Sequence, residues 1–144
     1  MAGKLKAGAA QIDITPEDSQ FLYGYPHVER YSTGIHDRLF SSSLYLSDAA
    51  NEVFFITNDI VYVTKQISRN ARKRISEKTS VKPENIMITA THTHSGPGTS
   101  KNLSGKTDSA VPQPDENYKC LLEDRLVESA VKAYGNIYDA EIGL

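Results

Sequence analysis

Residues 86–98 read IMITATHTHSGPG, and the parsing of this stretch decides the architecture. Apolar and polar residues alternate from Ile86 onward with the period of two that marks a half-buried strand. The strand reading carries into His92 and His94, and the period-2 rule sends both imidazoles to one face. Ser95-Gly96-Pro97-Gly98 then takes the chain out of regular structure.

Upstream, from Thr64 to about Ser80, the period changes. Val63, Ile67, Ala71 and Ile75 recur every four residues, and Thr64 stands where a helix N-cap belongs. Before this helix, EVFFITND (52–59) is a β-type run. Strand, helix and strand from Val53 to Thr91 therefore form a βαβ unit whose two strands are parallel. LFSSSLYLS (39–47) leads into EVFFITND through the turn-like DAAN (48–51), which predicts an antiparallel hairpin. KAGAAQIDITP (6–16) adds a strand in which Ala10, Ile12 and Ile14 alternate with polar neighbours, and Pro16 ends it.

A second helix is expected from Asp115 to Tyr134, with Leu122, Leu126, Ala130 and Ala133 as its apolar stripe and Gly135 as its stop. AEIGL (140–144) reads as a strand just starting, so the expectation is an incomplete domain. Residues 17–35 and 97–114 are long loops rich in Gly, Pro, Ser and Thr or Tyr, the second a possible lid. The predicted class is α/β: a mixed sheet in which an antiparallel hairpin feeds a βαβ unit, with helices packed on the sheet.

Composition bounds the partners. A chain of 144 residues fits one domain, and its net charge of −2 gives no reason to expect nucleic acid. Lys65, Arg69, Arg72, Lys73, Arg74 and Lys78 read as a solvated helix face in preference to a lipid-headgroup site. The single cysteine, Cys120, excludes an internal disulfide framework and any Cys-rich zinc site, and reads as a semi-buried thiol. No run approaches the roughly 20 apolar residues that span a bilayer. MAGKLKAGAA lacks the apolar core of a signal peptide. The expectation is a soluble chain, either cytoplasmic or secreted with its leader removed.

The topology also places the chemistry. Ligands gather beyond the carboxyl ends of parallel strands. Asp59 ends one such strand, His92 and His94 the other, and neighbouring strands lie about 4.8 Å apart. If Leu46 faces Val53 in the hairpin, Phe40 falls near Asp59, and GIHD (34–37) brings His36 and Asp37 to the same rim. Two imidazoles on one face can share a metal, or one can bind metal while the other handles charge; zinc is the natural ion. His36 reads equally as a structural group held by Asp37 or a carbonyl, and Asp59 equally as a loop brace or as a metal-site residue. His27, between Pro26 and Val28, is given no role.

These residues carry a resemblance. GAAQIDITP, GIHDRLFSSSLYL, ITND and above all ATHTHSGPG are similar to the N-terminal catalytic domain of the neutral/alkaline non-lysosomal ceramidases, from about residue 7 to the end. Members of that family are zinc-dependent amidases that split ceramide into sphingosine and a fatty acid. The resemblance implies a zinc ligand at His92 and, at His94, a catalytic residue that stabilises charge on the amide oxygen. It further implies that residues 1–144 are the N-terminal portion of one catalytic domain, with Zn²⁺ held by an incomplete ligand set and little turnover by this chain alone. The substrate so implied is a lipid-like N-acyl amide, which places the full-length protein in sphingolipid metabolism. Ser95 matches no nucleophile of the family and lacks a base–orienter pair, so it is declined. Two other readings stand beside this one. HTHS also resembles the opening motif of polymerase-and-histidinol-phosphatase-type phosphoesterases, without their aspartate-rich continuation. A non-catalytic module with bracing histidines is the third.

Overall fold

The computed structural model describes residues 4–25, 28–48, 50–100 and 111–143. Five strands form one sheet: β1 (Lys6–Asp13), β2 (Phe40–Ser47), β3 (Glu52–Asn58), β4 (Ile86–Ala90) and β5 (Ile137–Asp139), in the order β4-β3-β2-β1-β5. Only β3 and β4 run parallel; the other neighbours are antiparallel. The mixed sheet of the sequence reading is therefore present.

The β2–β3 register pairs Leu46 with Val53, as the hairpin reading requires. Asp48 closes the connection by accepting the Asn51 amide at 2.7 Å and the Ala50 amide at 3.1 Å. At the far end the pairing extends one step past the strand, where the Asp59 amide donates to the Phe40 carbonyl at 2.9 Å. Register is fixed because a one-residue slip would turn Phe54 and Ile56 out of the core.

Two helices cover one face. α1 (Lys65–Thr79) begins where Thr64 Oγ1 accepts the Ile67 amide at 3.2 Å, the expected cap. It ends at Ser80 in the left-handed region, φ 65°. α2 (Glu116–Gly135) starts behind Asp115, whose carboxylate accepts the Asn117 and Tyr118 amides. One apolar cluster joins Ile67, Ala71 and Ile75 of α1 to Leu122, Leu126 and Ala130 of α2 and to Phe54, Ile56 and Ile86 of the sheet. β2 contributes Ser41 and Ser43 to this buried face, and both hydroxyls are satisfied by Ser129 of α2, at 3.3 and 2.6 Å. Gly8 lets the last turn of α2 rest on β1, since a Cβ there would lie 2.1 Å from the Ala133 carbonyl oxygen. The opposite sheet face carries Leu44, Phe55 and Met87, all exposed.

Four expectations are corrected. Cys120 is exposed, because the buried stripe of α2 runs through Tyr118, Leu122 and Leu126 and places residue 120 on the far side. Gly135 is the last helical residue and Asn136 the cap. The late strand is Ile137–Asp139, earlier than AEIGL, because β1 offers pairing only to Lys6–Gly8 against residues 137–139. β4 stops at Ala90, so the histidines lie beyond it. Of the loop 97–114, residues 101–110 fall outside the described residues, as does His27.

Candidate metal and catalytic site

The β3 and β4 ends are stitched together by main-chain bonds. The Asn58 carbonyl accepts the Thr91 amide at 3.0 Å, and the Ile60 carbonyl accepts the His92 amide at 3.1 Å. This grip extends past β4 and holds His92 at φ 63°, a left-handed conformation. Such a conformation breaks the simple alternation of a strand, so period 2 does not govern residues 92–94. The two rings are nevertheless neighbours, with centroids 5.0 Å apart and planes at 66°.

Each ring has its own support. His92 Nδ1 donates to the Val61 carbonyl at 3.0 Å, since a carbonyl oxygen can only accept. That bond selects the tautomer whose Nε2 keeps a lone pair, the usual arrangement of a metal-binding imidazole. Tyr62 packs edge-on against the same ring at 5.0 Å. His94 meets the Tyr25 ring at 5.3 Å and 86°, and its main-chain carbonyl accepts from Arg30 Nη2. The Arg30 guanidinium lies 4.3 Å from the Tyr25 ring centroid, a cation–π contact.

The remaining rim residues occupy different places. Asp59 Oδ2 accepts the Phe40 amide at 2.9 Å, a brace across the hairpin end. His36 Nδ1 and Asp37 Oδ2 pair at 2.7 Å with side chains 97% and 87% exposed. The Asp37 carboxylate, first through this bond and then through its charge, holds the His36 ring above its ordinary pKa. His36 and Asp37 border a cleft of ≈ 950 Å³ that also reaches Arg30, Thr93, Ser95 and Gly96. His92, His94 and Asp59 are not among the residues that line it. Among the described residues, no group of three or more His, Cys, Asp or Glu side chains is placed to hold one metal ion.

Beneath the rim, Tyr118 is buried, and its hydroxyl has no partner among the described residues. Burial, reinforced by the nearby charges of Asp59 and Asp13, pushes this phenol well above its ordinary pKa, so it stays neutral at physiological pH. For Asp13, burial works against ionisation, but bonds from Thr15 and Arg38 overcome it and hold the carboxyl below its usual range.

Sequence reasoning missed the supporting layer. Val61 acts through its carbonyl, which no side-chain pattern reveals. Gly24, Tyr25 and Arg30 fall in the loop 17–35, whose Gly- and Tyr-rich composition signalled a functional loop without naming its residues.

Comparison with known proteins agrees with this architecture. The family described as "Neutral/alkaline non-lysosomal ceramidase, N-terminal" matches residues 5–144. The chain is 26% identical over 135 residues to the neutral ceramidase of Pseudomonas aeruginosa, covering 90% of this chain and 20% of that protein. It is 25% identical over 157 residues to the neutral ceramidase of Mycobacterium tuberculosis, covering 97% and 23%. The crystal structure of the Pseudomonas aeruginosa protein superposes with a TM-score of 0.82 at 26% identity, over 94% of this chain and 22% of that one. The chain thus spans about a fifth of the length of these relatives.

Proposed function

The chain belongs to the neutral/alkaline non-lysosomal ceramidase family, and from that premise we propose that it serves as the N-terminal part of a zinc-dependent hydrolase of N-acyl amides of the ceramide type. The products are a long-chain amine such as sphingosine and a fatty acid. The observation that carries the reading is the His92–His94 pair, with His92 Nδ1 engaged by the Val61 carbonyl and Nε2 left to ligate.

The donor set fits zinc in part. Imidazole nitrogen is a common zinc ligand, and an open catalytic site takes about three protein ligands. His92 would hold the ion through Nε2. His94, next to it, is suited to stabilise charge developing on the amide oxygen. When bound, zinc supplies Lewis-acid polarisation of the acyl carbonyl and activation of water at neutral pH. The chain's own work is orientation: the Val61 carbonyl fixes one ring, Tyr25 and Tyr62 brace the pair, and the cleft beside Thr93–Gly96 gives the amide a place to lie. With two imidazoles and no third ligand among the described residues, weak zinc affinity and little turnover are expected of this chain alone.

Zinc titration by calorimetry tests the proposal, alongside turnover of a fluorescent ceramide. His92→Ala should weaken zinc binding by at least tenfold. Equal zinc affinity in the parent and in His92→Ala would overturn the assignment. Ceramide turnover by the chain alone at the rate of a full-length relative would overturn the incompleteness of the site.

A further inference from the structure

Residues 20–22 pair with residues 30–32 in a small antiparallel arrangement. The Leu22 amide donates to the Arg30 carbonyl at 2.7 Å, the Ser32 amide to the Gln20 carbonyl at 2.9 Å, and Phe21 bridges Tyr31 with rings edge-to-face at 5.5 Å. This loop is docked on the histidine segment. Leu22 bridges Pro97, and the Tyr23 amide donates to the Gly96 carbonyl at 3.3 Å.

Three features of the loop converge on His94. Gly24, at φ 126°, sits so close that a Cβ there would lie 2.4 Å from His94 Cγ and 2.6 Å from Nδ1. The ring therefore rests on bare backbone. Tyr25 meets the ring edge-on at 5.3 Å. Arg30 closes the arrangement, since its guanidinium donates to the His94 carbonyl while lying 4.3 Å over the Tyr25 ring. One side chain thus anchors both the main chain of His94 and the aromatic wall against which its imidazole stands.

We propose that Arg30 is a positioning residue for His94, acting with Gly24 and Tyr25 as a clamp that sets the imidazole orientation. The inference deepens the reading of His94 as a catalytic group, and rests on that reading for its catalytic meaning. Its geometric content stands independently. Planarity matters here: a guanidinium can stack on a ring and direct N–H bonds in its own plane at once, which an ammonium cannot do. Among the described residues Arg30 Nε is buried without a partner, and it is the terminal Nη2 that donates to the His94 carbonyl.

The clamp is tested on the metal-free chain by NMR, so a failure of the zinc reading leaves the result interpretable. In the parent, His94 ring protons should show strong cross-relaxation to the Tyr25 ring and to Gly24 Hα. Arg30→Gln should reduce both by at least fivefold while amide exchange at Leu22 and Ser32 stays unchanged, so the loop persists while the ring is freed. Arg30→Lys, which keeps the cation but not the plane, should restore the Tyr25 contact only in part. Gly24→Ala should displace the ring with Arg30 intact. Unchanged His94 contacts in Arg30→Gln would overturn the proposal. So would protection lost together at Leu22, Ser32 and His94, because Arg30 would then merely hold the loop.

Discussion

Removing the Asp59 carboxylate separates its role as a brace from a role as a metal-site residue. Among the described residues the group accepts one bond, from the Phe40 amide at 2.9 Å, at the end of the β2–β3 pairing. Its own amide returns a bond to the Phe40 carbonyl at 2.9 Å, so the two residues close the hairpin end reciprocally. Asp59→Ala deletes one of these bonds and leaves a half-buried N–H unsatisfied. Hydrogen bonds involving a charged group contribute about 1.5–3 kcal/mol, and the lower end applies where water reaches the orphaned donor. The expected loss is therefore about 1.5–2 kcal/mol. At roughly 3–5 °C per kcal/mol for a chain of this size, Tm should fall by about 5–10 °C. Asp59→Asn retains an oxygen acceptor in the same place and should lose less than half as much. Circular dichroism melts of the three proteins without metal provide the assay. If Asp59→Asn is destabilised as much as Asp59→Ala, the charge matters and the acceptor does not. If neither variant loses stability, the brace reading is refuted.

Two further outcomes are expected. Gly8→Ala places a methyl against the carbonyl oxygens of Ala133 and Asn136, 2.1 and 2.9 Å away, so α2 must lift from β1. Overpacking against backbone should cost about 1–3 kcal/mol, read as a lower urea midpoint at constant slope, and an unchanged midpoint would disprove the close approach. Asp37→Asn should lower the NMR titration midpoint of His36, because the carboxylate is what raises it. The sign follows from linkage: a folded-state pKa above the unfolded value gives stability that is present below about pH 6.5 and is lost as pH climbs through the folded midpoint. A His36 midpoint that ignores the substitution would refute the pairing.

Legibility in the sequence followed the range of the interactions. β2, β3, α1 and β4 were readable because apolar periodicity reports burial directly, and the Thr64 cap and the Leu46–Val53 register came with them. Readability failed where a tertiary partner decides the outcome. β5 forms at residues 137–139 because β1 has a short free edge there. His92 turns left-handed because the Ile60 carbonyl takes its amide, a constraint absent from any local pattern. Of the site, the imidazole pair was visible as a motif, whereas its supports were not: one is a main-chain carbonyl, one a missing Cβ at Gly24, and one an arginine 64 positions away in sequence.

Among the described residues, both helices lie on one side of the sheet, and Leu44, Phe55 and Met87 face outward on the other. A single-sided core has a thermodynamic signature. Both the denaturant m-value and the heat-capacity increment of unfolding scale with the area newly wetted. Each should therefore fall below the figure typical of an α/β domain of 144 residues covered on both faces. Any molecule that caps the outward residues would raise both quantities together, which makes calorimetry a direct gauge of whether that surface is occupied.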